Sequence, residues 1–182
     1  YVTTARAARL HGAGRRSDAV AEGVQATWIA VAVGAVVVAV VLALVEPLTT
    51  VLASDTEVAA RAAEWLRVAV WGIPCILIAS AGHGWMRGVQ QLRTPLVLVV
   101  VGIGVSTVGC VLFVPGLGPL PSYGLIASAW ANLAGHVLMA GGFLAALFVE
   151  HTGSLRPRRQ VIASQLRMGV DLVIRTASFQ IT

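Results

Sequence analysis

Three long stretches without formal charge dominate the pattern of hydrophobic and polar positions along the chain. Residues 23–45 and 68–86 contain no Asp, Glu, Lys or Arg, and neither do residues 94–149. A helix needs about 20 apolar residues to cross the hydrocarbon core of a bilayer. The first two stretches therefore each predict one membrane-spanning helix, whereas the third has the length of two.

Prolines and one polar cluster predict where these helices end, begin and bend. Pro47 is expected to end the first span, because proline has no N–H with which to continue the helix. The sequence Ser-Asp-Thr-Glu at 54–57 is typical of a capping box and predicts a helix start. Pro74 lies inside that helix and predicts a kink. Residues 1–10 are expected to form the end of a helix.

A segment rich in proline and glycine, 115–124, divides the longest charge-free stretch. Such a segment favours a turn over a helix, so the stretch is expected to form two spans, 95–114 and 125–149. A polar, basic loop follows at 150–160, and another helix is expected over 161–182.

Composition changes this picture from apolar helices to a membrane protein. Hydrophobic residues make up 57% of the chain and charged residues 12%, whereas a soluble domain usually has about 25% charged residues. The lipid bilayer is therefore the expected partner. The net charge is +5, but the sequence shows no basic face or aromatic RNA motif, so we do not expect a nucleic-acid partner.

The distribution of arginine predicts how the chain is oriented in the membrane. Basic residues fall in alternate loops: Arg6, Arg9, Arg15 and Arg16 in the first, Arg87 and Arg93 in the third, and Arg156, Arg158 and Arg159 in the fifth. Cytoplasmic loops of membrane proteins carry the excess of Arg and Lys. We therefore expect a multi-pass protein of the cell inner (plasma) membrane, with loops 87–93 and 150–160 in the cytoplasm and 115–124 outside.

Four sequence motifs resemble one family of transporters. The stretch "GWMRGVQQLRTPL" resembles the junction of the fourth and fifth helices in the multidrug and toxic compound extrusion (MATE) family. Its Gln-Gln-Leu-Arg-Thr-Pro form resembles the DinF-like branch. The other motifs occur in the same order as in the family: "TARAARLHGAGRRSDA" in the loop between helices two and three, "GLIASAWANLAGH" at the start of helix six, and "MGVDLVIRTASF" at the start of helix seven.

The resemblance implies an all-α polytopic membrane protein, specifically part of one six-helix bundle of a two-bundle MATE-type transporter. Residues 1–160 would hold the end of helix two, helices three to six and a cytoplasmic loop, which is most of the first bundle. Residues 161–182 would begin helix seven, and the rest of the second bundle would lie outside this chain. The sequence is therefore expected to be a fragment.

The family's activity implies that the chain is part of a secondary active transporter. It would export small organic compounds, cationic or amphipathic, in exchange for protons or sodium, with no other cofactor. Two alternatives remain open: a flippase of lipid-linked precursors from the same wider superfamily, or a membrane assembly subunit that does not transport. The spans contain no HExxH motif, paired aspartates or Ser/His set, so an enzyme is not expected.

The resemblance also assigns candidate residues of the substrate and ion pathway. The fifth helix of the family often carries Asn and Asp one turn apart, and these positions correspond to Ser106 and Cys110. Neither residue replaces a carboxylate at neutral pH, so packing and a pathway role both remain open for them. On helix six, Asn132 and His136 stand where the family often has Thr and Gln. They can serve the pathway or bond neighbouring helices.

Three further residues complete the candidate pathway. Trp130 is the tryptophan best placed to reach a cavity, and Asp171 and Arg175 form an i, i+4 pair on the last helix. An ion pair inside a membrane is a functional hypothesis, with an interfacial pair as the alternative. The His and Cys residues lack metal-ligand spacing, so no metal is expected. A set of glycines is expected to allow close helix packing: Gly102, Gly104, Gly109, Gly135, Gly141 and Gly142.

Overall fold

A computed structural model of the chain describes residues 2–53, 55–116, 121–151, 153 and 155–180, with the backbone alone for residues 2 and 171–180. Every regular element in these ranges is an α-helix. The helices are α1 (Val2–Gly12), α2 (Arg16–Leu52), α3 (Thr56–Ala69), α4 (Gly72–Gly88), α5 (Arg93–Phe113), α6 (Leu125–Glu150) and α7 (Arg159–Gln180). The all-α fold class is therefore confirmed.

Up to four helical segments are long and apolar enough to cross a membrane. Three of them are single helices, α2, α5 and α6. The fourth is formed by α3 and α4 together, which are joined by a short break with a bend of 42°. These segments correspond to the four spans that the sequence predicts. The predicted helix at the start of the chain is α1, and the predicted helix after residue 160 is α7.

The prediction that Pro47 ends the first span is wrong. Helix α2 runs through Pro47 and continues to Leu52. Proline removes one helical hydrogen bond, here the one to the carbonyl of Ala43, and membrane helices tolerate an internal proline. Beyond it, the hydroxyls of Thr49 and Thr50 add bonds to the carbonyls of Val45 and Glu46, both at 2.9 Å.

The kink predicted from Pro74 is confirmed, and it lies at the break between α3 and α4. In a regular helix the residue at position 74 would donate its N–H to the carbonyl of Val70, which proline cannot do. The N–H of Ile73 bonds that carbonyl instead, at 3.0 Å, in a tighter turn. The predicted helix start near 54–57 is also confirmed, but the capping side chain belongs to Asp55, which accepts from the N–H of Glu57.

Small residues allow the helices to approach closely. A Cβ atom on Gly34 would lie 2.8 Å from Pro74, and one on Gly82 would lie 2.6 Å from the ring of Phe143. These contacts set α2 against α4 and α4 against α6. The largest fully buried side chains, Trp85 and Phe143, fill the core between them.

The prediction of close packing at six glycines is confirmed for four of them. A Cβ atom on any of these four would lie 3.0 Å or less from a neighbouring atom: Gly102, Gly109, Gly135 and Gly142. They bring α5 and α6 together. Gly104 and Gly141 have no such neighbour within 4 Å, so the prediction is wrong for these two within this chain.

The connections between helices are short where the sequence predicts turns. Only residues 89–92 separate α4 from α5, so Arg87 and Arg93 belong to the helix ends on either side. The segment between α5 and α6 is closed by the N–H of Tyr123, which donates to the carbonyl of Phe113 at 3.1 Å. Its residues 117–120 lie outside the described part of the chain.

Candidate functional site

A cavity of about 590 Å³ lies between α4, α5 and α6. Its polar lining consists of Ser80 and His83 from α4, Ser106 and Thr107 from α5, and Asn132 and His136 from α6. Aliphatic side chains complete the wall, among them Ile76, Val99, Ile103 and Met139. Among the residues that the structure describes, none in this lining is Asp, Glu, Lys or Arg. We call this space the polar cavity.

Helices α5 and α6 are in backbone contact beside the polar cavity, at Gly102 and Gly135. A Cβ atom on Gly135 would lie 2.5 Å from the carbonyl oxygen of Gly102, so neither position has room for a side chain. Ser106 is one turn beyond Gly102, and its short side chain keeps the helices close enough for a hydrogen bond across the interface.

That hydrogen bond joins two of the predicted residues. The hydroxyl of Ser106 donates to Oδ1 of Asn132 at 2.5 Å, and Nδ2 of Asn132 donates to the carbonyl of Ser128 at 2.8 Å. The indole of Trp65 donates to the hydroxyl of Ser128 at 2.9 Å, which links α3 to α6. A primary amide has two N–H donors and two acceptor sites. These two bonds use one of each, so Asn132 keeps hydrogen-bonding capacity for a ligand.

His136 lies one turn along α6 from Asn132 and faces the same cavity. Its ring packs against α4, where a Cβ atom on Gly72 would lie 2.9 Å from Nδ1 of the imidazole. His83 enters the cavity from α4, with its ring centroid 5.6 Å from that of Phe143. Hydroxyl, amide and imidazole groups from three helices therefore line the polar cavity as hydrogen-bonding groups.

A second cavity, of about 810 Å³, lies between α5 and α6 on the side of the turn at 114–124. Its lining is almost entirely apolar and includes Val101, Val105, Phe113, Tyr123 and Trp130. The side chain of Trp130 is 58% exposed. We call this space the apolar cavity. An aromatic and aliphatic surface of this kind suits the apolar part of an organic molecule or a lipid chain.

The sequence matches the MatE family profile over residues 2–112, which is more than half of the chain. The chain belongs to the MatE family. Members of this family are transporters and not enzymes, which agrees with the expectation from the sequence. No curated protein matches the chain significantly.

Two solved structures have the fold of this MatE chain. One is titled an inward-facing conformation of a multidrug resistance MATE family transporter of the MOP superfamily. It is 23% identical, with a TM-score of 0.77, over 93% of this chain. The other is titled MATE in the bent conformation. It is 24% identical, with a TM-score of 0.80, over 98% of this chain. The chain spans about two-fifths of the length of each, 39% and 42%.

The fold of this MatE chain brings three of the seven predicted pathway residues together. Ser106, Asn132 and His136 line the polar cavity, whereas Trp130 lines the apolar cavity. Cys110 is partly buried on α5 and belongs to neither lining.

The remaining two pathway candidates, Asp171 and Arg175, lie outside the described side chains. Within the described residues, no group of three or more His, Cys, Asp or Glu side chains is placed to hold a metal ion.

Sequence reasoning missed the contribution of α4 to this site. Glycines flank His83 near the end of a span, a position typical of an interfacial residue, but it lines the polar cavity together with Ser80. The signal was present in the sequence. Ile76, Ser80 and His83 recur at i, i+4 and i+7 and so share one helical face.

Proposed function

We propose that this MatE chain is part of a secondary active transporter that exports organic cationic or amphipathic compounds in exchange for protons or sodium. The polar cavity is the observation that carries this proposal. Polar side chains are costly inside a membrane and usually face the bundle interior or a pathway. Here six polar side chains from three helices converge on one space within an otherwise apolar bundle.

The two cavities suit the two parts of such a substrate. Ser106, Asn132 and His136 can bond the polar part of a molecule, and a neutral lining does not repel a cation. The aromatic and aliphatic wall around Trp130 can hold its apolar part. Asp171 and Arg175 extend the proposed pathway onto α7, where a charge pair would contribute to ion coupling.

The chain is proposed to hold most of the first of two bundles. Residues 1–160 would comprise the end of helix two, helices three to six and the following loop, and residues 161–182 would begin helix seven of the second bundle. The share of the two similar structures that the chain spans, about two-fifths, supports this division. The Gln-Gln-Leu-Arg-Thr-Pro motif supports the DinF-like branch.

The alternation of arginine supports an inner (plasma) membrane protein with loops 87–93 and 150–160 in the cytoplasm and 115–124 outside. Lipid surrounds the exposed apolar faces of the helices in this arrangement. The exposed aliphatic side chains along α5, such as Leu96, Val97 and Val100, fit such surroundings.

The flippase alternative is less well supported by the cavity chemistry. A lipid-linked precursor carries phosphate groups, which proteins bind with Arg or Lys. The described lining of both cavities lacks these residues. A subunit that only assembles with other membrane proteins would have no need of the polar cavity.

The test is cation flux in liposomes that contain the full-length transporter. Addition of an organic cation on one side should drive proton or sodium movement in the opposite direction. Asn132→Leu should reduce this flux strongly at matched protein content, because it removes a donor and an acceptor from the cavity. Flux of a lipid-linked precursor alone would favour the flippase. The absence of any flux would favour the assembly subunit.

A further inference from the structure

A buried ionic cluster centred on Glu22 joins the base of α7 to α1 and α2. The guanidinium of Arg6 in α1 donates two hydrogen bonds to the Glu22 carboxylate, from Nε to Oε2 at 2.8 Å and from Nη2 to Oε1 at 2.6 Å. Gln165 of α7 donates Nε2 to the same Oε2 at 2.5 Å and to the Glu22 carbonyl at 3.2 Å. The third nitrogen of Arg6, Nη1, donates to the hydroxyl of Ser164 at 2.9 Å.

Burial makes this cluster unlike the other ion pairs of the chain. Glu22 is 7% exposed and Gln165 is 5% exposed. By contrast, the side chains of the Glu57–Arg61 pair are 75% and 70% exposed. A buried carboxylate is tolerated only when charge and hydrogen bonds compensate for the lost water, so removal of one partner leaves the other uncompensated. If α7 left this position, Arg6 and Glu22 would remain paired but would lose their hydrogen bonds to Ser164 and Gln165.

A second set of contacts holds the loop that leads into α7. The N–H of Arg158 donates to Oε1 of Gln25 at 2.6 Å, and Nε2 of Gln25 donates to the carbonyl of Arg156 at 3.2 Å. The indole of Trp28 donates to the carbonyl of Leu155 at 2.9 Å. Gln25 is 2% exposed. These side chains belong to the same part of α2 as Glu22, so one helix holds both the loop and the base of α7.

Beyond Gln165, residues 166–170 of α7 pack less closely against the bundle. A gap of about 490 Å³ separates Leu166, Gly169 and Val170 from the bundle. The opposite wall of the gap is formed by apolar residues of α2 and α4, such as Ile29 and Leu77. No atom lies within 4 Å of the position that a Cβ on Gly169 would take. Helix α7 is thus held by polar contacts at Ser164 and Gln165, and it packs loosely at residues 166, 169 and 170.

We propose that Arg6, Glu22 and Gln165 are positioning residues that, together with Gln25 and Trp28, clamp residues 155–165 to the first bundle, so that the moving boundary between the two bundles lies beyond Gln165. This proposal rests on the proposed function, in which one bundle moves against the other. The sequence divides the two bundles at residue 160. The proposal places the boundary between the parts that move against each other at least five residues later, within α7.

Distances between spin labels in the full-length transporter test the clamp. With the native cysteines replaced, one label is placed on the exposed residue Leu96 of α5 and the second on Ala163 or Val170 of α7. The distance from Leu96 to Ala163 should be narrowly distributed and equal in the presence and absence of an ion gradient. The distance from Leu96 to Val170 should be more broadly distributed or should shift between the two conditions.

Variants of the cluster supply the decisive comparison. Glu22→Gln should broaden the Ala163 distribution to the width of the Val170 distribution, because it leaves Arg6 buried without a counter-ion. The double variant Arg6→Gln, Glu22→Gln should restore a narrow distribution, since two amides can bond each other without charge. Glu57→Gln, which breaks an exposed pair, should change neither distribution.

A reference pair within the first bundle, Val36 and Leu96, reports whether Glu22→Gln disturbs the whole fold. If the distance distribution between Val36 and Leu96 also broadens, Gln165→Ala is used in place of Glu22→Gln. This variant removes only the contact from α7 and keeps the ion pair between Arg6 and Glu22. A broad distribution of Leu96–Ala163 distances in the native protein would overturn the proposal. A narrow distribution of the same distance in Gln165→Ala would overturn it too.

These distances do not depend on transport. A protein that moves no substrate but loosens Ala163 on loss of the Gln165 contact would contradict the proposed function and leave the clamp in place. A protein that transports normally while Ala163 moves together with Val170 would support the proposed function and contradict the clamp.

Discussion

Replacement of Gly135 by Ala should separate α5 from α6 and disturb the polar cavity. The added Cβ atom would lie 2.5 Å from the carbonyl oxygen of Gly102 and 3.0 Å from Cβ of Ser106. Both neighbours belong to another helix, and the nearer one is a backbone atom, so neither can rotate out of the way. Relief therefore requires movement of the helices.

The structure sets the size of this effect. Ordinary contact begins at about 3.4 Å, so the helices must move apart by about 0.9 Å at this level. Overpacking of this kind costs about 1–3 kcal/mol. The same shift would lengthen the bond between Ser106 and Asn132 from 2.5 Å to about 3.4 Å, which is longer than an O–H···O hydrogen bond.

The assay is the thermal unfolding of the full-length transporter in detergent, with Gly141→Ala as the matched control. Gly141 lies on the same helix and has no neighbouring atom within 4 Å of its Cβ position. Both substitutions raise helix propensity by the same amount, so their difference isolates the contact with α5. One kcal/mol shifts the midpoint by about 2–4 °C for 150–250 residues and by less for a longer protein, so a cost of about 1–3 kcal/mol should place the midpoint of Gly135→Ala about 1 °C or more below that of the control. Equal midpoints for the two variants would refute this reasoning.

Three further predictions concern the pathway, the orientation and the extent of the chain. Cys110→Ser should leave cation flux nearly unchanged, because Cys110 lines neither cavity. Asp171→Asn should reduce cation flux at matched expression. The reverse result would assign ion coupling to α5. Cysteines at Ser122 and Leu155 should react with an impermeant reagent from opposite sides of the membrane, as the arginine alternation requires; labelling of both from one side would contradict the orientation. Residues 1–182 alone in liposomes should move neither protons nor sodium in response to an organic cation, because one bundle forms only one wall of an alternating-access pathway; substrate-dependent flux from this chain alone would contradict the division into bundles.

The membrane-spanning helices could be predicted from sequence because the bilayer sets one length for all of them. Runs without charge reveal that length directly, and Pro74 showed where one span bends. Pro47 misled the prediction, because the loss of one hydrogen bond does not by itself end a membrane helix, and α2 continues to Leu52.

The site was harder to predict because it depends on contacts between distant parts of the chain. Periodicity identified Asn132 and His136 as neighbours on one helix face, but it could not show that His83 lines the same cavity. The Glu22 cluster is a stronger example. Glu22 and Gln165 are 143 positions apart, and no local pattern in either helix marks them as partners.

The most direct test of the account is substrate protection of a cysteine inside the polar cavity. In the full-length transporter with its native cysteines replaced, Thr107→Cys places one thiol in the lining, and Gly141→Cys provides a control outside it. A small water-soluble reagent should modify position 107, and a transported organic cation should slow that reaction severalfold while position 141 shows no protection. A thiol at position 107 that reacts equally fast with and without saturating cation would contradict the claim that this cavity lies on the transport pathway.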